Sequence, residues 1–266
     1  MFNFKKSLQL IICAVFVTAC NSEIKPIPYL NNGQDWDKSI VILGDWDGDP
    51  ETPDTYLHWA PVNVGYDATG EIASKDDHRL GRLYQWGAGS DDANKLAKMR
   101  YYNEPRPKFW YNGSSMEQKY NGGIWKNGCG PNENGWRLPT EKELKALIIG
   151  KNGGYGWTTS GNYAGSNSYK GAEFFGMNSD ITPGKGVFFP AAGLVHSTYS
   201  ENPRDFSVLG AYWTAEAEAV NRERPVGDAA KAQSPALIFG EERCDIEPLR
   251  HSFAISVRLV HDVVDK

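Results

Sequence analysis

Gly135-Trp136-Arg137-Leu138-Pro139-Thr140-Glu141-Lys142-Glu143-Leu144-Lys145-Ala146-Leu147-Ile148-Ile149-Gly150 is the stretch on which the fold turns. Its second half predicts a helix. Thr140 is a natural N-cap, and Glu143 stands three residues on, where a capping box returns its carboxylate to the backbone N–H of the cap. Leu144, Leu147 and Ile148 then share one face, and Gly150 can stop the element. Glu141 and Glu143 need no catalytic role, because acids in a first turn favour the helix dipole. A second, weaker helix is predicted over 91–99. The rest of the chain suggests short strands at 40–43, 59–64, 83–86, 186–190, 211–214, 236–239 and 253–260. The last alternates best, with Phe253, Ile255, Val257 and Leu259 on one side and Ser256 and Arg258 on the other. Between the strands, 150–171 is rich in Gly, Asn and Ser, and 215–233 is polar. Both are expected as long loops, where binding commonly resides.

The 266 residues suffice for one large domain or two small ones, with 9 Trp, 13 Tyr, 11 Phe, 28 Gly and 15 Pro. That is a turn-rich chain with an aromatic core. A charged fraction of 23% carrying both signs, and a hydrophobic share of 40%, fit neither the disordered class nor the helical-bundle class. The net charge of -5, with no clustered basic face, argues against a nucleic-acid partner. From Trp36 onward there is no long linker, no charge run and no convincing repeat of 20–50 residues. One domain over 36–264 is the economical reading, and a solenoid or propeller is disfavoured.

Lys5 and Lys6 precede an apolar run from Leu8 to Val17 that ends in Thr18-Ala19-Cys20. Residues 1–19 are therefore expected to be a signal peptide. Val17-Thr18-Ala19-Cys20 also resembles the bacterial lipobox, whose Cys is acylated, so Cys20 is the expected lipidation site; ordinary secretion is the alternative. Residues 20–35, with Pro26, Pro28, Asn31, Asn32 and Gly33, then form a tether. Loss of Lys5 and Lys6 leaves 26 basic against 33 acidic residues, a net of -7, so attachment would rest on acyl chains and not on a basic patch. Asn21, where an aspartate would retain the protein, points to an outer-membrane lipoprotein of a Gram-negative bacterium, facing periplasm or cell surface. Cys129 and Cys244 remain. In an oxidising compartment they are most simply one disulfide, worth roughly 4–5 kcal/mol at most by loop entropy. Two separately buried thiols are the other reading.

Six segments in order resemble the Fibrobacter succinogenes major paralogous domain, a family of bacterial exported proteins and lipoproteins. They are His58-Trp59-Ala60-Pro61-Val62-Asn63-Val64-Gly65, Gly81-Arg82-Leu83-Tyr84-Gln85-Trp86-Gly87 and Gly135-Trp136-Arg137-Leu138-Pro139-Thr140-Glu141, then Phe188-Phe189-Pro190-Ala191-Ala192-Gly193, Gly210-Ala211-Tyr212-Trp213-Thr214 and Ser256-Val257-Arg258-Leu259-Val260. The stretch before Ser256 departs from that pattern, with Ser252-Phe253-Ala254-Ile255 where a Gly is expected. The Trp-Arg-Leu-Pro-Thr-Glu segment and the terminal Val-Arg strand also look like those of C-type-lectin-like domains. That resemblance implies an α+β fold of short twisted antiparallel strands, one or two short helices and long loops, with the N- and C-terminal strands close together. Trp59, Trp86, Trp136 and Trp213 are then core fillers, and Arg137 partners a buried carbonyl or carboxylate.

Chemistry is sparse. The related formylglycine-generating enzymes use paired cysteines, and Cys244 has no neighbour in sequence. The five His, at 58, 78, 196, 251 and 261, sit in no triad context, and no zinc, phosphate-loop or dinucleotide motif occurs. Paired carboxylates stay open, because their spacing in space is invisible in one sequence. Asp45, Asp47 and Asp49 alternate in an acidic turn and are candidate calcium ligands, although the EF-hand spacing is not met; a solvated turn is the alternative. Trp110 and Tyr111, in an aromatic segment with Pro and Gly, are candidates for stacking on a glycan or anchoring a protein, and a satellite core is the alternative. The lectin-like resemblance moves the ligand face to the loops between Trp213 and Ser256, where Arg222, Arg224, Glu242, Arg243, Asp245 and His251 supply polar handles. The expectation is a non-catalytic, lipid-anchored envelope protein that binds a glycan or a protein partner. A structural subunit of a pilus or fimbria and an envelope polysaccharide hydrolase are the alternatives.

Overall fold

A computed structural model describes residues 40–46, 55–86, 136–149, 155–177, 182–196, 204–216, 233–250 and 253–262. The helix predicted from the opening stretch is present as α1, Glu141–Ile149. Its start is a reciprocal capping box: the Thr140 N–H donates to Glu143 Oε2 at 2.7 Å, and the Glu143 N–H donates to Thr140 Oγ1 at 3.1 Å. Arg137 completes it as a fork on the same carboxylate, with Nη1 and Nη2 donating to Oε2 and Oε1 at 2.9 and 2.5 Å. Leu144 and Leu147 are fully buried beneath the helix. A further cap comes from far along the chain, where Glu216 Oε2 accepts from the Glu141 N–H at 2.7 Å.

Thirteen strands accompany the helix among the described residues, and all named strand pairs are antiparallel. The described residues are thus mostly antiparallel β-sheet with one α-helix. The first sheet runs β1 (Ile40–Gly44), β2 (Thr55–Trp59), β13 (Val260–Asp262) and β4 (Trp136–Arg137), so the first and last described strands share it. A second holds β3 (Tyr84–Gln85), β12 (Phe253–Ile255) and β8 (Val195–His196). The third is β11 (Cys244–Arg250), β10 (Gln233–Phe239) and β9 (Gly210–Trp213), and the fourth β5 (Tyr155–Tyr163), β6 (Ser166–Phe174) and β7 (Val187–Pro190). Trp59, Trp86, Trp136 and Trp213 are all fully buried. Two of them enter the core with their one donor satisfied: Trp86 Nε1 donates to Thr214 O at 3.0 Å, and Trp213 Nε1 to Tyr84 O at 2.7 Å.

Several sequence expectations change. The strand expected over 59–64 ends at Trp59, because Ala60 and Val64 turn their N–H groups onto Leu259 O and Val257 O, both at 2.9 Å. The strand expected over 253–260 is broken into β12 and β13, which belong to different sheets. Its alternation is lost with it, since everything from Ala254 to Val260 is buried. The loop expected over 150–171 is largely the β5–β6 hairpin. The region between Trp213 and Ser256 contains β10 and β11. The helix expected over 91–99, the signal peptide, Cys20 and the tether lie outside the described residues.

Breaking the last strand places Arg258 in the interior, fully buried. Its Nε donates to Asn63 Oδ1 at 2.9 Å, Nη1 to Ala60 O at 2.7 Å and Nη2 to Phe188 O at 3.2 Å. Among the described residues no carboxylate pairs with it. The charge is instead met by carbonyl dipoles and by ring faces, with the guanidinium carbon 4.8 Å from the Phe189 centroid and 5.4 Å from that of Tyr163. Asn63 relays the network: its Nδ2 donates to Leu80 O at 2.7 Å and to the Tyr212 hydroxyl at 3.2 Å.

Replacing Arg258 by Met keeps the volume but strands three buried acceptors, and by Lys loses the planar fork. Urea unfolding of Arg258→Met is expected to show a loss of about 3–5 kcal/mol, with Arg258→Lys also clearly destabilised. Burial raises the Glu216 carboxyl above its ordinary 4.5, the Glu141 N–H opposing. A raised folded value means that this group contributes stability fully present below 4.5 and lost as pH rises through the folded value. Glu216→Gln should therefore gain in melting temperature relative to the parent as pH is raised from acid to neutral. A difference independent of pH contradicts this.

Candidate functional site

The β5–β6–β7 sheet is covered unequally on its two faces. Cross-strand partners share a face, so Tyr155 with Phe174 and Trp157 with Ala172 look one way, and Gly156 with Glu173 and Phe188 look the other. The first face lies on the main aromatic core, where Phe174 meets Phe189 and Phe239 at 5.2 and 5.5 Å between centroids. Tyr155 stacks on Phe174 at 5.9 Å, and Trp157 meets Phe239 edge-on at 6.5 Å. At its turn end the second face is sealed by Tyr163, Tyr169 and Phe188, packed with Val62, Tyr66 and Leu80. Asp77 anchors that cover, accepting from the Tyr169 hydroxyl at 2.6 Å and from the N–H groups of Ala73 and Arg79 at 2.7 and 3.0 Å.

At the other end the second face is open. A cleft of about 770 Å³ lies there, with Gly156, Thr158 and Glu173 among its lining, Ser160, Asn162 and Asn167 along the hairpin, and Pro183 and Gly184 on the facing loop. Space exists because Gly156 has no side chain, and a Cβ built there meets nothing within 4 Å. Further along the strand the opposite holds: a Cβ at Gly161 would run into the Phe188 ring. Glu173 is mostly buried and oriented by the loop, its Oε1 accepting from the Gly184 and Gly186 N–H groups at 2.7 and 2.8 Å. Its Oε2 has no partner among the described residues. Among the described residues the lining therefore offers one oriented carboxylate, neutral hydroxyls and amides, the rings of Tyr155, Trp157 and Phe175, and no cationic side chain.

Sequence reasoning placed its candidates elsewhere. Glu242 and Arg243 lie in the tight β10–β11 turn, closed by the Gly240 N–H donating to Arg243 O at 2.8 Å. Asp245 is in β11 and accepts from the next N–H, and Arg243 pairs with Glu247 at 3.1 Å in an exposed contact. None of these residues lines the cleft. Asp45 follows β1, while Asp47 and Asp49 lie outside the described residues, as do Trp110, Tyr111, Cys129, Arg222, Arg224 and His251. Among the described residues no group of three or more His, Cys, Asp or Glu is placed to hold a metal. Cys244 is a half-buried free thiol, pushed up to about 12 by burial and by Asp245. The Tyr155 hydroxyl is also raised, by burial first and by Cys244 second.

Glu173 and Gly156 were missed because their hairpin was. Its turn, Ala164-Gly165, has φ of 51° and 84°, the two positive values of a type I′ loop, but Ala takes the place where Asn or Asp would announce one. The single acid in the run Gly171-Ala172-Glu173-Phe174-Phe175 was the available signal. No family model, curated protein or solved structure matches the chain.

The two glycines of β5 should respond oppositely to a methyl group. Gly161→Ala is expected to cost about 1–3 kcal/mol by overpacking against Phe188. Gly156→Ala is expected to be neutral or stabilising by up to about 1 kcal/mol. Equal losses in denaturant melts would mean that the cleft floor is not open.

Proposed function

We propose that this chain is a non-catalytic binding protein of the bacterial cell envelope, held to the membrane by lipid on Cys20 and adhesin-like or glycan-binding in role. Its binding site is the cleft over Gly156 and Glu173. The observation that carries this reading is the lining: one carboxylate, fixed on one oxygen and open on the other, surrounded by Thr158, Ser160, Asn162 and Asn167. Such a surface recognises hydroxyl, amide or ammonium groups, and its carboxylate disfavours an anion. Turnover needs more. Glycoside hydrolysis in its usual form takes a pair of carboxylates across the scissile bond, and the described residues of the lining supply one. A cysteine nucleophile needs a lowered pKa, and that of Cys244 is raised. The lectin-like fold and the outer-membrane location belong to the same proposal, resting on the sequence motifs.

The full chain in detergent, presented with a glycan array and with purified envelope proteins, should bind a defined partner saturably and leave it chemically unchanged. Gly156→Trp, which fills the cleft from its floor, should weaken that binding at least tenfold. New reducing ends released from a polysaccharide would contradict the proposal, and so would binding indifferent to Gly156→Trp.

A further inference from the structure

Strand β5 is more than a wall of the cleft. It pairs with β6 on one side, and among the described residues no strand pairs with its other side. Sheet edges are ordinarily blunted by Lys, by Pro or by bulges. The sequence of β5, Tyr-Gly-Trp-Thr-Thr-Ser-Gly-Asn-Tyr, has neither Lys nor Pro, and its irregularities begin only after Thr158. There the Ser160 N–H turns back onto Thr158 Oγ1 at 3.2 Å. Among the described residues nothing pairs with or guards residues 155–158, which form a regular edge. The cleft runs along it: Tyr155, Gly156, Trp157 and Thr158 all line the cavity. Successive residues of a strand face opposite sides, so a cavity that touches four in a row meets the backbone edge itself.

We propose that residues 155–158 take up an extended segment of a partner polypeptide by strand addition, with a Lys or Arg of that segment reaching Glu173. Main-chain hydrogen bonds supply affinity in this mode, and pockets for alternate side chains supply specificity. The register identifies the pockets. A residue added opposite Gly156 lies in one cross-strand row with Gly156 and Glu173. Two strand spacings, about 10 Å, separate it from Glu173, within the joint reach of an extended Lys and Glu. The missing side chain of Gly156 leaves that path clear, and Glu173 Oε2 is the open acceptor at its end. The neighbours of the basic residue fall on the other face, beside the half-buried rings of Tyr155 and Trp157, and are therefore apolar. The segment sought is extended, with one basic residue between two apolar ones. This inference rests on the cleft being the binding site and specifies what it binds.

The probe is a fluorescein-labelled synthetic peptide, Thr-Val-Lys-Val-Thr, titrated against the full chain in detergent by fluorescence anisotropy. It should bind at least tenfold more tightly than the same peptide with Glu in place of Lys. That preference should fall below twofold in Glu173→Gln, where the amide oxygen still accepts from the 184 and 186 N–H groups. Gly156→Val, with an unchanged melting temperature, should weaken binding at least tenfold, as should N-methylation of the peptide amides that would face β5. Equal binding of the Lys and Glu peptides, or indifference to N-methylation, overturns strand addition. No peptide binding, beside glycan binding that Gly156→Trp abolishes, overturns strand addition and leaves the cleft as a binding site. Binding of neither class removes both.

Discussion

A guanidinium placed in the interior and met, among the described residues, by amide and carbonyl oxygens sets the terms for the rest of this fold. Arg258 holds Ala60, Asn63 and Phe188 through three hydrogen bonds, and lies over Phe189 and near Tyr163. These groups come from after β2, from β5 and from β7, which the Tyr163 hydroxyl and the Asn63–Tyr212–Pro190 relay also tie together. Directional contacts to carbonyl oxygens add what apolar packing lacks, a unique register. The partner of Phe188 in the sheet is Glu173, and the partner of Glu173 is Gly156. The position of the cleft thus follows from the residue that closes the core.

The same chain of contacts explains why one end of the hairpin is sealed and the other open. Tyr163 is the hinge of the sealed end: its hydroxyl accepts from the Asn63 N–H and donates to Arg79 O, both at 2.9 Å. Burial raises the Tyr163 hydroxyl well above its ordinary range, so it remains a donor at any physiological pH. Asp77 then ties the loop before the 3-10 turn His78–Leu80 to Tyr169. Beyond that reach, among the described residues, the 182–186 loop lies over the face and touches the strand through the carboxylate of Glu173. A sealed end and the cleft are adjacent parts of one sheet.

Helix α1 was legible to within a residue, because capping chemistry is local and written in Thr140 and Glu143. The buried tryptophans were legible as well, since a large ring with one donor has few other places in a globular chain. Arg258 was placed on the wrong footing. Alternation along 253–260 sorts faces only while one strand stays in one sheet, and here the chain passes from one sheet to another at Ser256. The candidate site was hidden for a similar reason. Gly, Asn and Ser weaken strand propensity, so 155–174 resembled a loop, yet Gly161 and Gly171 are required by the close approach of Phe188. Glu216 as a cap of α1 has no local signature at all, being 75 residues from the N–H that it accepts.

The proposed binding edge is the stretch of β5 that no described strand pairs on its outer side, and amide hydrogen exchange resolved by residue measures it directly. In the free protein the amides of β6, paired on both sides, should be among the slowest to exchange. Over residues 155–158 protection should alternate, with the amides turned toward β6 slow and those turned toward the cleft fast. Slow exchange at all four positions would mean that the edge is already covered, and would contradict the site described.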